Sequence, residues 1–320
     1  MSARPATHAG TWYSSMASTL DSELTKFISE ASSTTPSKNA RVLVGPHAGY
    51  AYCGSTLAES YSVWDTSTVK NVFIFSPSHY VYFKGARISR YQFYETPLGT
   101  IPVNHELIEK LIEENPRDIK YMSSDVDDEE HGIEMHMPMF HKFTEKLPQG
   151  VPKIIPILIS SSDRNFEKRI ASIIAKYLPN KEFSFIVSSD FCHWGSRFDY
   201  TMYTPDDSAS RLKKLYPQDN HTNLTVPIYK SIEYLDKKAM KVAATGSYDM
   251  WKEYIERTGN TICGQKPISI IIAALEKYNE ESLKKENALG FNWIGYSQSS
   301  KVTRTNDSSV SYASGFVVVD

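Results

Sequence analysis

Three short apolar runs, each ending a few residues before a histidine, constrain this chain more than any other feature of its sequence. Arg41-Val-Leu-Val-Gly45 precedes His47, Asn71-Val-Phe-Ile-Phe-Ser76 precedes His79, and Phe183-Ser-Phe-Ile-Val-Ser-Ser189 precedes Asp190 and His193. Runs of about four to eight residues rich in Val, Ile and Phe, flanked by Gly, Pro or Ser, are the mark of strands buried on both faces. Open α/β sheets bind ligands beyond the carboxyl ends of such strands. The pattern therefore predicts a site where imidazoles from distant segments converge.

Between the runs, apolar spacing predicts helices. Leu20, Leu24, Phe27 and Ile28 share a face within Ser18–Ser33, and Asn104 caps a helix to Glu114 that Pro116 stops. Ile154–Ile159 is a further strand, and Phe166, Ile170, Ile173, Ile174 and Tyr177 follow it at helical spacing. Ile232 to Ala244 ends at Gly246, Ser247 caps a helix through Glu256, and Pro267 opens another. The tail, Phe291–Tyr296 and Gly315–Val319, returns to strand character. Strands alternating with helices of about ten to fifteen residues imply an α/β fold with a mostly parallel or mixed central sheet and helices on both faces.

No Pro/Gly/Ser-rich linker divides the 320 residues, so a single domain over 1–320 is expected, with a surface insertion at 201–227 where periodicity fails. A net charge of −2 excludes nucleic acid or an anionic membrane as the main partner. Met1–Leu20 holds no apolar signal core, and no stretch approaches the roughly eighteen apolar residues that span a bilayer. A soluble, unsecreted chain without membrane insertion is expected. Three cysteines, Cys53, Cys192 and Cys263, are too few for a disulfide scaffold.

Pro46-His47-Ala-Gly49-Tyr50 and Ser76-Pro-Ser-His79 put imidazoles in turns where backbone approaches a ligand closely. Ser188-Ser-Asp190-Phe-Cys192-His193-Trp194 adds a carboxylate, a thiol and an imidazole. Cys263 lies immediately upstream of the helix opened by Pro267, where a thiol loses its proton more easily, whereas Cys53 reads as packing. Cys192, alternating with Asp190, is placed at the pocket wall, and so is His131 from the acidic stretch Asp125–Glu130 and the following His131-Gly-Ile-Glu134. His136 and His141 read as surface residues, and the acids before His131 as stabilised by the positive end of a helix.

Taken together, Pro46-His-Ala-Gly-Tyr50, Ser76-Pro-Ser-His79, Glu130-His-Gly-Ile-Glu-Met-His136, Ser188-Ser-Asp-Phe-Cys-His-Trp-Gly195, Asn260-Thr-Ile-Cys-Gly264 and Asp307-Ser-Ser-Val-Ser-Tyr-Ala313 resemble the Memo proteins, mediators of receptor-tyrosine-kinase-driven cell motility. His8-Ala-Gly-Thr-Trp-Tyr13 matches their amino-terminal motif. The resemblance implies a fold like the class III extradiol dioxygenases, with His47 and His79 as metal ligands and His193 as the catalytic histidine, assisted by Asp190. Cys263 falls where those dioxygenases carry a glutamate, so ring cleavage is not expected and the thiolate favours a softer ion. The resemblance further implies copper or iron as cofactor, redox chemistry, binding of phosphotyrosine peptides or signalling proteins, and a cytoplasmic and nuclear location.

Two functions stay open at this point. In one, His47, His79 and Cys263 hold copper or iron for a redox role. In the other, the same pocket of a retired enzyme fold binds a peptide or small molecule without catalysis.

Overall fold

Strands Ala40–Gly45, Phe183–Ser188, Asn71–Pro77 and Lys153–Ile159 lie side by side in that order, all parallel. The computed structural model describes residues 2–31, 36–218, 223–282 and 288–320. Every residue of Ala40–Gly45 and Phe183–Ser188 is buried, as strands covered on both faces must be. Phe73 and Phe185, on neighbouring strands, stack with ring centroids 5.6 Å apart. Antiparallel strands extend the sheet on both sides. Ser309–Val318 pairs with Ala40–Gly45 and carries Asn292–Gln298 and His193–Trp194 beyond it. On the far side Ala86–Ile88 pairs with Lys153–Ile159, and Ile119–Tyr121 lies outside. The fold is thus a single α/β domain around a mixed sheet, flanked by helices.

Helix Tyr50–Ser62 covers Ala40–Gly45 and Ser309–Val318, with Ala17–Ser29 and Met137–Thr144 packed against it. Helix Gln265–Glu281 lies on Asn71–Pro77 and Phe183–Ser188, beside Arg164–Ala175 and Tyr248–Thr258. The caps explain where helices start. The Asn104 side chain accepts from Leu107 N at 3.1 Å and Asp163 from Phe166 N at 2.7 Å, each satisfying an otherwise orphaned donor. Pro267 sits inside the first turn of its helix, where its missing N–H has no partner to lose. Among the described residues no helix is long and apolar enough to cross a membrane.

Two expectations change. The 201–227 segment is more than a surface insertion. Its described part holds a two-stranded ribbon, Met202–Tyr203 against Lys213–Lys214, and buries Tyr203, Ala209 and Leu215 in a second apolar cluster with Trp194, Ile232 and Leu235. Strands of two residues are too short to leave a periodic signal. His136 and His141 are buried, not surface residues, because Met137–Thr144 turns them toward helix Tyr50–Ser62 and the small sheet of Ala3–Arg4, Phe93–Thr96 and Gly99–Pro102. Burial pulls His136 down to about 4, so it is a neutral core residue.

Candidate functional site

His47, His79 and Asp190 each stand two residues beyond a parallel strand, ending at Gly45, Pro77 and Ser188 respectively. Strand Phe183–Ser188 lies between the other two, so the three turns open on one crevice at the carboxyl edge of the sheet. A cavity of about 690 Å³ fills it, lined by His47, His79, His131, Asp190 and His193 together with Trp12, Tyr52, Arg197, Phe198, Tyr312 and several serines.

Hydrogen bonds fix the tautomers of three imidazoles. Ser188 Oγ donates its one proton to Gly132 O at 2.6 Å, so at 2.6 Å from His47 Nδ1 it must accept, and the ring proton of His47 is on Nδ1. His79 donates from Nδ1 to Glu130 Oε1 at 2.6 Å and from its backbone N to Oε2 at 2.7 Å. His193 Nδ1 faces two carbonyls, Phe191 O at 2.9 Å and Thr261 O at 3.0 Å, which can only accept. In the neutral rings Nε2 is therefore left as a lone pair. Burial, reinforced by the neighbouring imidazoles, holds His47 well below its ordinary value, and burial with His79 brings His131 down to about 3.

His79 and His131 stack at 4.2 Å, and His47 meets them edge-on at 4.9 and 5.3 Å. One ring nitrogen from each of the three lies within 4.8 Å of the others. Nitrogens sharing an ion about 2.0–2.1 Å from each can be no more than about 4.2 Å apart, so small ring rotations suffice to bring the trio onto one metal. The donor set fits a transition ion.

Cys263 approaches from the other side. Its Sγ lies 3.2 Å from His47 Nε2 and accepts from Asp190 N at 3.2 Å, yet it opens onto a neighbouring cavity of about 320 Å³ with Lys266 and Tyr82. Burial, then the Asp190 carboxylate, pushes the thiol well above its usual value, so it is a protonated thiol here. Of the residues singled out from sequence, His47, His79, His131, Asp190 and His193 share the main pocket, and Cys263 touches it through His47. Cys192 is not part of the wall. It is fully buried in the second apolar cluster, because the chain turns into His193–Trp194 and its backbone N is drawn to Asp236. Nor does Asp190 orient His193. Asp190 Oδ1 accepts from His47 N at 2.9 Å, and carbonyls hold His193 instead. Cys53 packs in the core, its thiol donating to Ala48 O.

Sequence reading underrated the carboxylates. Glu130 both accepts from Gly132 N, as a helix-start acid should, and grips His79. Burial pushes Glu130 up, but His79 holds it below its ordinary range. Four residues on, Glu134 grips His8 in the same way, through backbone N and Nδ1 at 2.8 Å each, and takes Arg4 Nη1 at 2.6 Å and Tyr13 OH at 2.7 Å. Burial opposes its charge, but His8 and Arg4 bring it down to about 2. This lock seats Trp12 against His131, centroids 4.6 Å apart. Sequence pointed here only through the His8-Ala-Gly-Thr-Trp-Tyr13 motif.

An α/β domain whose sheet edge carries a pocket of converging imidazoles belongs to the class of folds equipped to hold an ion or small ligand. The chain is a member of the family described as Memo-like protein, which it matches over residues 4–316. It is 40% identical to the MEMO1 family protein MHO1 of Saccharomyces cerevisiae over the whole of both chains. It is 34% identical to Protein MEMO1 of Homo sapiens, over 99% of this chain and 97% of that one. Among solved structures, an uncharacterized protein from Escherichia coli K12 superposes with a TM-score of 0.49 at 11% identity, over 86% of this chain and 99% of that chain.

Proposed function

We propose that the pocket binds a transition metal, copper or iron, for a redox role. The observation that carries this reading is the trio His47, His79 and His131, with one ring nitrogen each within 4.8 Å of the others. Imidazoles suit copper, iron or zinc, and the Cys263 thiol beside His47 Nε2 adds a softer donor for a cuprous ion. His131 would complete the set for a borderline ion and Cys263 for a soft one. When bound, such an ion supplies an electron-transfer couple. His193, its Nδ1–H held by carbonyls, offers Nε2 to accept a proton from a ligand in the pocket. The third donor beside His47 and His79 is an imidazole or a thiol rather than a carboxylate, so ring-cleaving dioxygenase activity is not expected.

The test is metal content of untagged protein, followed by titration of the His47→Ala variant. Bound copper or iron near one equivalent in the parent and its loss in the variant supports the reading. Metal-free protein that takes up neither ion would overturn it. Oxygen consumption by the iron-loaded protein with catechols, abolished by His193→Ala, would instead establish the ring-cleaving enzyme.

A second reading rests on the rim. Arg197 lies exposed over Phe198, guanidinium to ring centroid 4.5 Å, at the mouth beside Ser299, Ser300 and Tyr52. A cation among hydroxyls and aromatic faces suits an anionic aromatic side chain such as phosphotyrosine, and with it the motility signalling that the family resemblance implies. Loss of phosphotyrosine-peptide binding in Arg197→Ala, with metal content unchanged, separates the two.

A further inference from the structure

We propose that Glu130 is the positioning residue of this site: its carboxylate fixes which nitrogen of His79 faces the pocket. The inference rests on the metal reading for its consequence, but its geometry stands apart from it.

Glu130 takes both donors of one residue, the backbone N–H of His79 at 2.7 Å and its ring Nδ1–H at 2.6 Å. Two bonds from two ends of the same residue define the ring's rotation as well as its proton. The same oxygen, Oε1, lies 3.7 Å from Nδ1 of His131, whose ring stacks on that of His79. One carboxylate thus stands behind two of the three imidazoles that converge. It is itself immobilised, with its side chain 3% exposed and a third bond from Gly132 N at 3.0 Å. Buried carboxylates are costly unless fully bonded, and all three of these bonds serve to hold the acid in one orientation. A ring whose Nδ1–H is held by a carboxylate presents Nε2 as a fixed and more basic donor.

Glu134 supplies the control. It grips His8 by the same pair of bonds, four residues further on, and makes no hydrogen bond or ion pair with His79 among the described residues. Removing charge at Glu134 therefore perturbs a neighbouring buried acid without touching the tautomer in question.

The experiment reads the protonated nitrogen of His79 by ¹⁵N-detected NMR of ring-labelled, metal-free protein, in the parent, Glu130→Gln and Glu134→Gln. Cobalt(II) affinity is measured in parallel. The parent should show His79 protonated at Nδ1, Glu130→Gln should shift it toward Nε2–H or a mixture, and Glu134→Gln should leave it unchanged. Cobalt(II) should bind about 10–100-fold more weakly to Glu130→Gln than to the parent. His79 protonated at Nε2 in the parent, or a tautomer indifferent to Glu130→Gln, would overturn the assignment. If the tautomer responds but the parent takes up neither cobalt(II) nor copper or iron, the positioning by Glu130 stands and the metal reading falls. The parent spectrum alone decides the first point even if the variant fails to fold.

Discussion

Nε2 of His47 lies 3.2 Å from Sγ of Cys263, 216 positions away in the chain. Ser188 already occupies Nδ1 of the same ring, so this contact meets the lone pair of the imidazole. In the metal-free protein the thiol proton has an acceptor there. With a soft ion present, the two atoms stand ready to share it.

Cys263→Ser should therefore weaken cuprous binding, by on the order of tenfold or more, while Cys53→Ser leaves it unchanged. The Cys53 thiol is fully buried and donates to Ala48 O. Competition with a cuprous chelator measures both. Equal losses would mean that Cys263 is no ligand.

Gly264 makes that contact sterically attainable. A Cβ there would fall 2.4 Å from Ser189 Cβ and 2.8 Å from the carbonyl oxygen of Ser188, and backbone cannot move away cheaply. Gly264→Ala should cost about 1–3 kcal/mol and shift the adjacent Cys263 away from His47. Denaturant midpoints report the first effect and cuprous competition the second.

Arg4 is 1% exposed and faces the buried Glu134 carboxylate. Arg4→Ala leaves that charge without its guanidinium, for an expected loss of about 3–5 kcal/mol by urea unfolding. Arg4→Ala combined with Glu134→Gln should lose less than the sum of the two singles, since the stranded charge is gone. Strict additivity would show that the pair is not coupled.

Acid should destabilise the fold through His136. Burial depresses this base from its ordinary 6.5 to about 4 in the native protein and so holds it neutral. The unfolded chain takes up a proton first, so stability from this group is fully present above about pH 6.5 and is lost as pH falls toward 4. The loss amounts to roughly 3 kcal/mol at about 1.4 kcal/mol per unit. His136→Gln should be less stable at pH 7 but show a shallower decline between pH 6.5 and 4, read from urea midpoints along the pH series.

The strands were legible because burial on both faces leaves continuous apolar runs, and the site was legible because His47, His79, Asp190 and His193 follow those runs directly. What sequence left hidden is of two kinds. Glu130 and Glu134 act through partners far away, His79 and His8, and no local pattern announces a long-range hydrogen bond. His136 and Cys192 point inward because of how short elements are turned: a histidine between helical stretches, and a cysteine just before a two-residue strand, offer no period to read.

Strand Ser309–Val318 sets Gly315 opposite Val44, so the sheet closes between residues from opposite parts of the chain. Closing so long a loop is entropically slow, and it must wait until those residues have been synthesised. Until then Ala40–Gly45 has an open apolar flank, the sort of edge that recruits strands from other molecules. The same late strand pairs with His193–Trp194 and contributes Ser309, Val310 and Tyr312 to the pocket. A nascent chain thus needs shielding from aggregation for most of its synthesis, and the pocket is complete only after the sheet has closed.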